Sequence, residues 1–144
     1  MKVLIVESEF LHQDTYVGAA VERLADELSR QNVEVIKASS FDDGYAILSA
    51  NEAIDCLMFS RGMDDSAEHS LAQQLLNKLH ERQENVPVFL LSDREKTTQE
   101  LSREMMEQID EFAWILEDTA DFIAGRAVAV SYTHLRAHET SAHL

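Results

Sequence analysis

Two carboxylates just past the first apolar run, Glu7 and Glu9 in Val6-Glu7-Ser8-Glu9, are of a type and spacing that could grip a divalent cation. The chemistry on offer would be metal-assisted phosphoryl transfer onto a carboxylate, which also needs an aspartate acceptor and a lysine to neutralise the developing charge. The third apolar run ends Phe59-Ser60-Arg61 and the fifth ends Leu116-Glu117-Asp118, so neither the acceptor aspartate nor the lysine stands where required. Asp64 and Asp65 lie several residues further on, where only a shift of the loop would bring one back. Phosphoryl transfer is therefore not expected, and Glu7 and Glu9 read as a solvated loop. Ser92, Asp93 and His80 supply the types for nucleophilic catalysis, but no spacing links them, and Ser92-Asp93 reads as the start of a loop. Gly18, Gly44, Gly62 and Gly125 are scattered, so no glycine-rich turn can bring backbone amides to a phosphate. Cys56 sits inside Cys56-Leu57-Met58-Phe59 and reads as an inert core thiol. His12 and His69 read as surface residues, Trp114 as core, and the Met105-Met106 pair as helical packing. Site assignments are thus catalytic none, cofactor-binding none and metal none.

The elements that would position these residues alternate. Short β-branched or apolar runs at Lys2 to Val6, Val33 to Lys37, Asp55 to Phe59, Pro87 to Leu91 and Phe112 to Leu116 are separated by helical patterns. Val17, Val21, Leu24 and Leu28 make one apolar stripe, and Leu71, Leu75 and Leu79 another. Ser40 followed by Asp43 resembles a capping box, and Asp118 and Thr119 mark the last helix start, with Phe122 and Ile123 facing inward. The least patterned helix spans Thr97 to Ile109, on Leu101, Met105 and Ile109. Pro87 opens its strand, where a missing amide hydrogen harms the ladder least. Strands alternating with helices predict an α/β doubly wound five-stranded parallel sheet of flavodoxin- or receiver-like order 2-1-3-4-5.

The chain has 144 residues and is 45% hydrophobic, enough for one core. Its apolar runs are far shorter than the roughly 18 to 20 residues that cross a bilayer, and the start lacks a signal-peptide pattern, so a cytoplasmic protein is expected. A net charge of −15 argues against nucleic acid or an anionic membrane as partner. No small-molecule ligand is predicted.

From Val130 the texture changes. The string Val130-Ser131-Tyr132-Thr133-His134-Leu135-Arg136-Ala137-His138-Glu139-Thr140 carries no helical stripe and no strand alternation, and it resembles the translation of a transposase sequencing adapter. Residues 130–144 are accordingly expected to be a non-native tail, disordered or an incidental helix, and residues 1–129 the domain proper. His134, His138 and His143 then carry no metal site.

Within 1–129, Met1 to Phe10 (MKVLIVESEF), Ser40 to Phe59 (SFDDGYAILSANEAIDCLMF), Asn85 to Glu95 (NVPVFLLSDRE) and Asp110 to Ala129 (DEFAWILEDTADFIAGRAVA) closely resemble the N-terminal wing domain of bacterial acid-inducible arginine decarboxylases, which depend on pyridoxal phosphate. The likeness is looser over Arg61 to Gln74 and Lys96 to Gln108. The related lysine and ornithine enzymes look less similar in the last block. The resemblance implies a receiver-like wing without phosphorylation chemistry, in an enzyme whose separate domain carries the cofactor on a lysine and whose dimers assemble into a decamer in acid. None of Lys2, Lys37, Lys78 or Lys96 follows a histidine as that family's cofactor lysine does, so no catalytic residue carries over. The competing expectation is a free-standing pseudo-receiver that binds proteins without being phosphorylated.

Overall fold

The computed structural model describes residues 1–50, 52–60, 70–82, 85–93 and 101–142, with side chains through Thr133. Five strands, β1 (Lys2–Val6), β2 (Glu34–Ala38), β3 (Cys56–Phe59), β4 (Val88–Ser92) and β5 (Glu111–Trp114), alternate with α1 (Tyr16–Arg30), α2 (Phe41–Ser49), α3 (Leu71–Arg82), α4 (Arg103–Gln108) and α5 (Ala120–Ala142). A 3₁₀ turn over Ser8–Leu11 links β1 to α1. All four strand pairings are parallel, in the order β2-β1-β3-β4-β5, with Val3 opposite both Val35 and Cys56. This is the predicted topology.

The alternation of side chains along the central strands divides the core into two layers. Val3, Ile5, Cys56, Met58, Phe89 and Leu91 face one side, where Val21, Leu24 and Leu28 of α1 and Ile123, Ala124 and Ala127 of α5 close over them. Leu4, Val6, Leu57, Phe59, Val88 and Leu90 face the other, against Leu48 of α2, Leu75, Leu76 and Leu79 of α3 and Met105 of α4. Because both faces are covered, the central strands are continuously apolar, which is why their runs were legible without alternation.

Local signals fix the helix ends. The Thr15 hydroxyl accepts from the Gly18 amide at 2.9 Å, Ser40 from Asp43 at 3.0 Å and Ser102 from Met105 at 3.1 Å, each satisfying one orphan amide of a first turn. α1 stops in a left-handed cap: Asn32 takes φ 63°, its amide bonds Ser29 O at 3.1 Å, and the Val33 amide bonds Leu28 O at 3.0 Å.

The structure corrects several expectations. Trp114 is 37% exposed and not core, because β5 is an edge strand whose Ala113 alone points under α5. The fifth strand also sits one residue earlier and ends two residues sooner than expected: Ser92 O takes the Ile115 amide, and the Trp114 amide turns to the Asp118 carboxylate at 2.9 Å. Phe122 points outward while Ile123 points inward, and Met106 is exposed while Met105 is buried. Of the helix expected over Thr97 to Ile109, the described portion is Arg103–Gln108, and residues 97–100 lie outside the described residues. Residues 130–142, expected to be disordered or an incidental helix, are helical and continue α5 to Ala142, which corrects nothing. Extension of a formed helix is cheap once its nucleus exists, and no glycine or proline interrupts residues 130–142.

Candidate functional site

In a parallel sheet every strand delivers its carboxyl end to one rim, and ligands of doubly wound folds sit there. Here the rim receives Glu7 after β1, Ser60 after β3, Ser92 and Asp93 at the end of β4, and Ile115 to Asp118 after β5.

Glu7 is only 4% exposed, which overturns its reading as a solvated residue. Its amide donates to Ala38 O at 2.9 Å, anchoring it between β1 and β2. One carboxylate oxygen accepts from the Glu9 amide at 3.1 Å, closing the 3₁₀ turn, and the other accepts from the Ser60 hydroxyl. Glu9 is half-buried, and its carboxylate accepts from the Thr15 hydroxyl at 3.0 Å. The two acids that could have held a cation are therefore turned into the loop's own hydrogen bonding. Sequence reasoning missed this because glutamate is not among the usual capping residues.

Among the described residues the partners that phosphoryl transfer would require are not assembled. Ser60 occupies the acceptor position and is held by Glu7. The β5 end carries Leu116-Glu117-Asp118, where Asp118 serves the Trp114 amide. The described lysines are engaged elsewhere: Lys2 with Glu34 at 3.3 Å and with Glu52, Lys37 with Glu22 and over the Phe10 ring, Lys78 over the Tyr45 ring. The hydrogen bonds that Lys2 donates to Glu52 and Glu34 raise its pKa, favouring the charged form. Among the described residues no three His, Cys, Asp or Glu side chains converge as metal ligands. Asp64, Asp65, His69 and Lys96 lie outside the described residues.

Nor does the fold unite Ser92, Asp93 and His80. His80 is in the last turn of α3, which leads into the start of β4, whereas Ser92 and Asp93 end that strand. Cys56 is fully buried, and desolvation pushes its thiol up to about 12, an effect the nearby Ser131 hydroxyl offsets in part. A thiol so protonated is no nucleophile. A cleft of about 600 Å³ between α1 and the β5–α5 connection is lined by Arg23, Glu27, Leu116, Glu117, Asp118 and Asp121, among others. Several of its polar groups already serve the chain: Glu27 pairs with Arg30 at 3.0 Å, Asp118 holds the Trp114 amide, and Thr119 lowers the Asp121 pKa by hydrogen bonding.

Comparison with known proteins agrees with this geometry. Residues 16–131 match the family model described as the Orn/Lys/Arg decarboxylase, N-terminal domain. Over 129 residues the chain is 74% identical to the biodegradative arginine decarboxylase of Escherichia coli (strain K12), a match covering 90% of this chain and 17% of that protein. Lysine decarboxylase A from Pseudomonas aeruginosa superposes with a TM-score of 0.79 at 20% identity, over 94% of this chain and 18% of that one. A CheY-like response regulator receiver domain from Methanospirillum hungatei JF-1 superposes at 0.72 with 15% identity, over 94% and 97%. The last two likenesses speak for the fold alone. With a receiver-like sheet whose rim is closed by its own side chains, and a family match over most of its length, the chain belongs to the Orn/Lys/Arg decarboxylase N-terminal domain family.

Proposed function

We propose that this chain is the N-terminal assembly domain of a cytoplasmic, pyridoxal-phosphate-dependent arginine decarboxylase of acid resistance, and that it has no catalytic role of its own. The observation that carries the reading is the 74% identity to an arginine decarboxylase, of which this chain spans 17%. The closed rim supports it, since a Glu7 carboxylate committed to Ser60 and Glu9 leaves shape and charge as what the domain contributes. The described lysines do not fit the cofactor, because Lys2 and Lys37 are ion-paired and none follows a histidine. Pyridoxal phosphate and the substrate belong to the remainder of the enzyme.

Assembly of dimers into a decamer would follow from charge. With ordinary side-chain pKa values the domain's −15 at pH 7 falls to roughly −9 at pH 5 and to about zero near pH 4. Repulsion between neighbouring domains weakens accordingly, in the conditions where a proton-consuming decarboxylation is useful. Sedimentation of the full-length enzyme from pH 8 to pH 5 tests this: association should grow as the pH drops, and an assembly state indifferent to pH, or to Glu-to-Gln changes on the domain surface, overturns it. An open reading frame running on into a pyridoxal-phosphate domain in the genomic DNA separates this reading from a free-standing pseudo-receiver.

Residues 130–144 are proposed to be foreign to the domain. The adapter-like string that begins at Val130 supports this. No helix among the described residues is long and apolar enough to cross a membrane.

A further inference from the structure

We draw no further inference here: the strongest candidate, the surface patch of exposed apolar side chains, Phe112, Trp114 and Leu116, on the edge strand β5 and just beyond it, carries nothing because nothing in the structure shows what covers it.

Discussion

Cys56 shows how burial decides the chemistry of a residue that composition alone leaves open. Desolvation raises its thiol to about 12 from an ordinary 9.0, so the folded chain holds the proton where the unfolded chain releases it. The sign follows: stability is full below pH 9 and declines as the pH climbs from there toward 12, because the unfolded state ionises first. Native protein at pH 8 should leave a thiol-reactive dye unconsumed, with one equivalent taken up only in denaturant. Rapid native labelling would show that the layer over Cys56 opens. The inertness of Cys56 was legible in its apolar neighbours. The burial of Glu7 was not, because it depends on Ser60, distant in sequence and adjacent only once β1 and β3 pair.

Among the elements, those whose two faces are both covered were read almost to the residue, since a continuous apolar run has few interpretations. β1 and the stripe of α1 are of this kind, as is the Ser40 cap of α2. β5 was misplaced and its Trp114 misassigned, because an edge strand contributes one buried side chain and its end is set by the Asp118 side chain, which no periodicity reports. The β1–α1 connection carries the sharpest prediction at this scale. Gly18→Ala would drive a methyl into the His12 carbonyl, so the loop must leave α1 or the helix must shift. A loss of 2 kcal/mol or more is expected in chemical denaturation, about twice the roughly 1 kcal/mol for removing a cap as in Ser40→Ala. A Gly18→Ala variant as stable as the parent would mean that the turn is not seated as described.

For the whole molecule, a formal −15 on 144 residues leaves a large excess of like charge. Such self-repulsion opposes compactness and is screened by salt. The melting temperature of the chain should therefore rise on going from about 0.05 to about 0.5 M sodium chloride at pH 7, a range over which the screening length shrinks severalfold. A melting temperature that falls would place attractive ion pairs, such as Lys37 with Glu22 and Arg126 with Glu111, above the net repulsion. Fold class and strand order were legible at this scale because both follow from alternation and chain length. The closed rim was visible in the sequence only as missing residues, and its filling by Glu7 and Ser60 needed three dimensions. The flanks of the sheet carry a last consequence. β2 ends the sheet on one side with Glu34 and Lys37 both tied into ion pairs, and β5 ends it on the other with four residues, a Glu111 bound to Arg126 and a terminal amide already spoken for. Neither border offers a long bare ladder to an incoming strand, so copies of the domain brought close together at high concentration gain little by zipping edge to edge into fibrils.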